Sequence, residues 1–257
     1  MQKPFIRRCP KCNSTFTNEV YIYCLDDGTK LVEDKSTQFD PEAPTLIAEP
    51  NSKPARKLRV IKRQFYFSEG DTKREIAYPQ IQGLGSEYIE RRINNYLRNE
   101  FLAIGQEDIG PQDENGDFVE LTGYGVTLLT STTLSARLWS SIDIGGAHPT
   151  NAYQAFNCDL RSGYVFVYED LFRLDSNYRT IIPELITKSL QKRAEREQYE
   201  YYPFDVKEQY DFYITRKNLV IFNLYYAHAV QSLEAPIRLT EIRKIIHPEG
   251  PLYPLLE

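Results

Sequence analysis

Cysteine spacing constrains the first part of this chain more than any other feature of its sequence. Three of its four cysteines, Cys9, Cys12 and Cys24, lie within sixteen residues. Cys9-Pro-Lys-Cys12 forms a CxxC turn that lets two thiolates reach one ion, and Asp27 follows Cys24 at the spacing of a second such pair. Zinc accepts carboxylate oxygen as well as sulfur and takes four ligands in structural sites. The spacing predicts one structural zinc bound by Cys9, Cys12, Cys24 and Asp27, with Asp27 favoured over Asp26.

Residues 1–31 are predicted to be a small metal-stabilised unit. A chain this short buries too little apolar surface to fold alone, and such units usually need a metal. The segment resembles the zinc-ribbon units at the N-termini of many bacterial proteins, whose second knuckle often ends in Asp-Asp-Gly-Thr, as residues 26–29 do here. It departs from a four-cysteine ribbon at Asp27. The alternative is three buried or redox-active thiols in a small hairpin without metal.

The composition indicates a soluble globular protein. Of 257 residues, 41% are hydrophobic and 26% charged, and the net charge of −5 argues against a nucleic-acid surface. The longest apolar run, Leu219–Val230, has twelve residues, fewer than the roughly 20 of a membrane-spanning helix. The first residues lack the apolar core of a secretory signal. We therefore expect a cytoplasmic protein, whose reducing surroundings favour metal ligands over disulfides.

The remaining chain is predicted to form a linker and one domain. Residues 32–57 contain four prolines, no glycine and no apolar periodicity, which is typical of an extended, mobile linker. A globular pattern begins at Leu58 and continues to residue 257. Within it we distinguish a companion subdomain, residues 58–117, from a signature region, residues 118–250.

Apolar periodicity predicts two long helices and a series of strands in this domain. Residues 86–104 and 178–198 have the 3.6-residue spacing of amphipathic helices. Aromatic and β-branched runs predict strands over residues 58–67, 74–81, 118–130, 133–144, 151–160, 164–168, 211–215 and 219–224. Because helices and strands are segregated, the predicted class is α+β, with antiparallel sheets packed by the two helices.

Three ordered segments of the domain resemble a known family. They are Gly145–Asn151 leading into Phe156–Gly163, then Glu169–Phe172, then Phe212–Thr215 and Leu219–Phe222 with Tyr226 and Ala235-Pro236 downstream. Together they are similar to a bacterial family of domains of unknown function, over roughly residues 58–250. That family occurs in the extracellular part of a lysozyme-sensing anti-sigma factor and beside a peptidoglycan deacetylase domain. This chain departs from it at Glu234-Ala235, where the family usually has a glycine before the proline.

The resemblance implies an α+β module whose best-supported activity in the family is protein binding, namely recognition of lysozyme. The family's deacetylase chemistry belongs to another domain with its own Asp/His metal motif, and this sequence contains no such motif. We therefore predict a non-catalytic module that binds or senses a protein or glycan. The alternative is a metal-dependent hydrolase or deacetylase that acts on cell-wall glycan or an acylated sugar.

Four side chains are candidates for binding. His148 follows Gly145-Gly146, where it either shapes a loop through backbone hydrogen bonds, contacts a ligand or takes part in catalysis. Tyr199, Tyr201 and Tyr202 cluster after the second helix in a chain with 19 tyrosines. Tyrosine is enriched at recognition surfaces, so this loop is either a binding edge or part of the packing of the sheet.

The metal prediction is tested by elemental mass spectrometry of protein purified without chelator. The full chain is expected to contain one zinc and a fragment of residues 55–257 none, because all four predicted ligands precede residue 55. Metal retained by the fragment would contradict the assignment and point to a site near His148 or His228.

Overall fold

A computed structural model describes residues 7–8, 15–16, 32–33, 57–70, 72–103, 118–145, 148–201, 203–224 and 233–256. The chain divides into two compact units, Met1–Lys53 and Pro54–Glu257. In the first unit, β1 (Arg7–Arg8) pairs antiparallel with β2 (Thr15–Phe16) and β3 (Val32–Glu33). The first unit therefore includes residues 32–33, which are the first residues of the predicted linker.

The second unit contains a five-stranded sheet, a three-stranded sheet and two helices among its described residues. In chain order the elements are β4 (Arg59–Glu69), β5 (Thr72–Gln82), α1 (Glu87–Ala103), β6 (Phe118–Leu129), β7 (Thr133–Asp143), β8 (Thr150–Asp159), α2 (Tyr178–Glu197), β9 (Asp211–Ile214), β10 (Asn218–Phe222) and β11 (Ala235–Arg238). This confirms the α+β class and both predicted helices.

The large sheet has the strand order β4-β5-β6-β7-β8. Neighbouring strands in this sheet pair antiparallel, except that β5 and β6 run parallel over five residue pairs. The predicted antiparallel pairing holds for the other neighbouring strands but not for this pair, because α1 lies between the two strands in the chain and a crossover of this kind permits parallel pairing. The helix buries Ile93 and Leu97 in one core with Ile76, Leu138 and Phe156.

Polar residues of α1 fix it against β5. The Asn94 side chain donates to the carbonyl of Ile81 at 2.9 Å and accepts from its N–H at 2.7 Å. The Glu90 carboxylate accepts from the N–H groups of Gly83 and Leu84 at 2.8 and 3.0 Å. These backbone groups, at the end of β5 and in the turn before the helix, lie beyond the residues of β5 that pair with β6. The side chains of Asn94 and Glu90 supply their hydrogen-bond partners.

The small sheet has the order β11-β10-β9 and is antiparallel. The helix α2 lies against it and buries Ile182, Ile186 and Leu190 in a core shared with Leu219 and Ile237. Its proline, Pro183, lies in the second turn of the helix, where it removes the hydrogen bond that an N–H would donate to the Arg179 carbonyl. The helix ends at Gln198, which has the left-handed φ of 57°.

Two strand assignments differ from the sequence prediction. Residues 164–168 form no strand: Val165 makes a single bridge to Cys158, and a 3-10 turn follows at Tyr168–Leu171. Their aromatic side chains suggested a strand, but Tyr168 is buried through the turn. Strand β11 was not predicted, because it contains Pro236 and is only four residues long. A proline is tolerated there because β11 is an edge strand.

The two sheets are joined by side chains that bind the free edge of β9. The Ser135 hydroxyl accepts from the N–H of Ile214 at 2.8 Å and donates to the Asn157 side-chain oxygen at 2.6 Å. The Asn157 amide donates to the Phe212 carbonyl, and the Thr127 hydroxyl donates to the Ile214 carbonyl, both at 2.8 Å. Ser135 and Asn157 are almost completely buried. We call Thr127, Ser135 and Asn157 the junction network.

Substituting Asn157→Ala is expected to lower the free energy of unfolding by about 2 kcal/mol or more, because it leaves the Phe212 carbonyl and the Ser135 hydroxyl buried without their partner. Urea unfolding measures the change. Gln154→Ala, at an exposed position of the same strand, is the control and should cost less than about 0.5 kcal/mol. Equal losses in the two variants would contradict a special role for the junction network.

Candidate functional site

An open groove of about 780 Å³ lies between α2 and β11. One wall is a stripe of α2 at helical spacing, made of Leu185, Lys188, Ser189, Lys192, Arg193, Arg196 and Glu197. The other wall is β11 with the residues around it, namely Glu234, Pro236, Ile237, Arg238, Thr240 and Glu241. We call this the α2–β11 groove.

The groove exists because α2 packs on the small sheet through one stripe of its side chains, and the stripe beside it stays outside the core. Ile186 and Leu190 lie in the core, so the side chains around Lys188 and Lys192 face outward beside β11. The Ser189 hydroxyl donates to the Pro236 carbonyl at 3.3 Å, which ties the helix to the outer edge of β11. Since Pro236 has no N–H and the N–H of Arg238 donates to the Glu241 carboxylate at 3.4 Å, little of this edge is free to pair with another strand.

The charges lining the groove are mainly positive. Its five cations face three carboxylates, on a chain whose net charge is −5. Arg193 and Arg196 share Glu197, at 3.1 and 2.7 Å, and hydrogen bonds from these arginines hold the pKa of Glu197 below its usual range.

Two cations of the groove form no ion pair with another described residue. Lys188 lies 3.9 Å from Glu241, whereas no carboxylate of the described residues forms an ion pair with Lys192 or Arg238. The groove therefore presents the ammonium group of Lys192 and the guanidinium group of Arg238 to a ligand.

At one end of the groove, Glu234 is held by the large sheet and by β9. An Arg137 nitrogen lies 2.6 Å from one oxygen of Glu234, and the Tyr213 hydroxyl donates to the other at 3.0 Å. The Arg137 guanidinium also lies 4.6 Å from the centre of the Tyr153 ring, a cation–π contact. Burial, and secondarily the Glu234 charge, raise the pKa of Tyr213 to about 12. The end of the groove is thus fixed by residues from β7, β8 and β9.

The departure from the family pattern at Glu234-Ala235 falls at this end of the groove. Ala235 is fully buried and opens β11, where it pairs with Ile221. Glu234 supplies the carboxylate that Arg137 and Tyr213 bind. Glu234 therefore directly precedes a regular strand and is part of a defined polar cluster.

A second, shallower depression of about 470 Å³ lies on the face of the large sheet that does not contact α1. The Trp139 ring lies over Gly123, where an added Cβ would be 2.4 Å from the indole. Any side chain at position 123 would displace this ring. Trp139 is 39% exposed and Leu121 41%.

The residues predicted to bind ligands do not form one cluster among the described residues. His148 is exposed in the loop between β7 and β8, after Gly145, which has a φ of 81°. Tyr199 is 40% exposed after α2, and Tyr201 packs against the core of the second unit. No hydrogen bond or ring contact between described residues joins His148 to either tyrosine. Their binding role stays a prediction.

The other predicted site residues lie outside the described residues. These are Cys9, Cys12, Cys24, Asp27 and Tyr202. In the part of the chain that is described, no group of three or more His, Cys, Asp or Glu side chains is arranged to hold a metal ion. The Cys158 side chain is fully buried, and burial raises the pKa of its thiol to about 12.

The sequence pattern did not reveal the groove. The side chains of residues 192–197, at the end of α2, are mostly exposed. The available signal was the four-residue spacing of Lys188, Lys192 and Arg196, which places three cations on one face. Arg137 gave no signal, because its contact with Glu234 joins positions almost a hundred residues apart.

Comparisons with known proteins identify the fold of most of the chain. The sequence matches no protein-family model and no curated protein. A member of the DUF3298 family from Bacteroides fragilis has a similar structure, with a TM-score of 0.59 and 12% identity over 80% of this chain and 99% of that one. This chain has a DUF3298-like fold. A DUF3298 protein from Pseudomonas aeruginosa has a TM-score of 0.52 and 11% identity over 76% of this chain and 96% of that one.

At these identities the likeness establishes the fold alone. The structures therefore say nothing of a ligand for this chain. Among the described residues, no helix combines the length and apolar character needed to cross a bilayer.

The raised pKa of Tyr213 predicts a pH dependence of stability. An unfolded tyrosine ionises near pH 10, whereas Tyr213 keeps its proton up to about pH 12, so its stabilising contribution is complete below pH 10 and is lost as the pH rises from 10 to 12. Tyr213→Phe should therefore lose less stability across this interval than the wild type, by roughly 2–3 kcal/mol, since each pKa unit corresponds to about 1.4 kcal/mol. The measurement is urea unfolding at several alkaline pH values. Tyr253→Phe, at an exposed position, should follow the wild-type slope, and a Tyr213→Phe slope equal to it would contradict the assignment.

Proposed function

We propose that the second unit is a non-catalytic binding module that takes an acidic segment of a partner protein in the α2–β11 groove. The observation that carries this proposal is the excess of cations in the groove of an acidic chain. Lys192 and Arg238, which lack ion-pair partners among the described residues, are the contacts expected to contribute most. Complementary charge of this kind raises association rates and selects against wrong partners.

The shape of the groove favours an extended segment over a small molecule. Pockets for small ligands bury most of the ligand surface, whereas this groove is open along its length and lies between a helix and a strand. Its apolar contributions come from Leu185, Pro236 and Ile237. A peptide that alternates carboxylates with apolar side chains would match both the charges that line the groove and these three apolar residues.

The resemblance to a family known for protein recognition supports a binding role. Glu234 is already bound by Arg137 and Tyr213. An acidic ligand is therefore expected to bind along the part of the groove that contains Lys192 and Arg238.

For the first unit we infer a structural zinc bound by Cys9, Cys12, Cys24 and Asp27. What supports this is the ligand spacing and the small size of the unit. In this proposal the metal stabilises the ribbon, and ligand binding belongs to the second unit.

The binding proposal is tested by fluorescence anisotropy with a labelled poly-glutamate peptide and the full chain. The double variant Lys192→Glu/Arg238→Glu should bind at least about tenfold more weakly, since two charge contacts of about 0.7 kcal/mol each amount to a factor of ten. The matched control is Arg216→Glu/Lys217→Glu, which makes the same change in net charge in the exposed turn between β9 and β10.

The control should retain wild-type affinity, and added salt should weaken wild-type binding. A labelled poly-lysine peptide should not bind in the groove. Equal losses in the two double variants would mean that the peptide responds to net charge only, and this would contradict the groove as the binding site.

A further inference from the structure

Three of the four sheet edges in the second unit are capped by the protein itself. At β9 the junction network binds the outward backbone groups. At β11, Ser189 and Glu241 bind the outward groups of Pro236 and Arg238, and Pro236 has no N–H to offer. At β8 the Asn223 amide donates to the Tyr153 carbonyl, and the N–H of Phe166 donates to the Asn157 carbonyl, both at 2.8 Å. These contacts use outward-facing backbone groups that could otherwise bind another strand.

The fourth edge, β4, differs from the other three. All eleven of its residues pair with β5 on one side, and no hydrogen bond from a described residue reaches its backbone on the other. Every side chain from residue 62 to residue 68 is exposed. Three of them are aromatic: Phe65, Tyr66 and Phe67 are 45%, 65% and 38% exposed. A long, regular and partly aromatic edge is a template for a further strand.

The order of residues along β4 indicates which strand fits this edge. The basic residues Arg59, Lys62 and Arg63 lie in its first half. The aromatic residues lie in its second half, and Glu69 is the last residue of the strand. An antiparallel copy of the same strand would place each half against the other, which brings cations against aromatic rings. A parallel copy would place cations against cations.

We propose that two copies of this chain pair antiparallel through β4 and form one continuous ten-stranded sheet around a two-fold axis. In the register that places Gln64 opposite itself, the cross-strand pairs are Arg63 with Phe65, Lys62 with Tyr66 and Ile61 with Phe67. Such a contact is isologous, so it closes after two copies.

The side chains support this register. Arg63 and Phe65 lie on one face of the strand and Lys62 and Tyr66 on the other, because side chains alternate. Each pair therefore meets on a shared face, as cross-strand cation–aromatic contacts require. Moving the axis by one residue to Arg63 would place two guanidinium groups against each other. The charge pattern thus selects the Gln64 register over that neighbour.

The test measures the mass of the full chain by light scattering after gel filtration, over a range of concentrations. The wild type should have twice the 30.0 kDa mass of one chain. Phe65→Arg should shift the mass to 30.0 kDa, because it places an arginine opposite Arg63 of the second copy. The double variant Arg63→Glu/Phe65→Arg should restore the dimer through two opposite-charge pairs. Tyr88→Arg, at a position of α1 that is 74% exposed, is the control and should remain dimeric.

A wild type that stays at one chain mass at every concentration overturns the proposal and leaves the edge to a strand of another protein. A dimer that Phe65→Arg does not dissociate, or a double variant that stays monomeric, also overturns it. Circular dichroism checks that the variants are folded. If both β4 variants unfold, hydrogen exchange of the wild type decides: protection of residues 60–68 that increases with concentration supports the proposal, and constant exchange overturns it.

Discussion

The attachment of β9 to the large sheet is the interaction on which the rest of the second unit depends. An edge strand buried against a sheet face would leave its outward N–H and carbonyl groups without partners, at a cost of about 1–3 kcal/mol for each. Thr127, Ser135 and Asn157 remove this cost, because their short polar side chains stand on the sheet face within reach of Phe212 and Ile214. The bonds are specific in position, so they fix the place of the small sheet as well as its stability.

The polar cluster and the groove follow from this placement. Once β9 is fixed, Tyr213 points toward Glu234, and Glu234 meets Arg137 of the large sheet. The helix α2 then covers the small sheet, and its next stripe of side chains becomes a wall of the groove. A substitution in the junction network is therefore expected to disturb the groove without touching any of its lining residues.

Local patterns in the sequence predicted the parts of the fold that depend on local interactions. Both helices have apolar residues at regular spacing, and the structure places them within one residue of the predicted ends. Residues 164–168 have strand-like composition but bury Tyr168 through a 3-10 turn, and β11 contains a proline that local rules exclude from most strands. The parallel pairing of β5 and β6 depends on where α1 lies. The junction network and the Arg137–Glu234 pair join distant positions, and nothing in one sequence reveals them. The zinc ligands and the binding roles of His148, Tyr199, Tyr201 and Tyr202 stay predictions.

The contact of Trp139 with Gly123 makes the fluorescence of this tryptophan sensitive to the packing of one part of the protein. Trp139 is the only tryptophan of the chain, so the indole emission comes from one place on the β6–β7 face. Its half-exposed ring rests on a residue without a side chain, and its cross-strand partner on β8 is Tyr153. Tyr153 in turn lies under the guanidinium of Arg137. Fluorescence from this protein therefore reports the packing of β6 and β7, and through one tyrosine the state of the polar cluster, rather than an average over the whole fold.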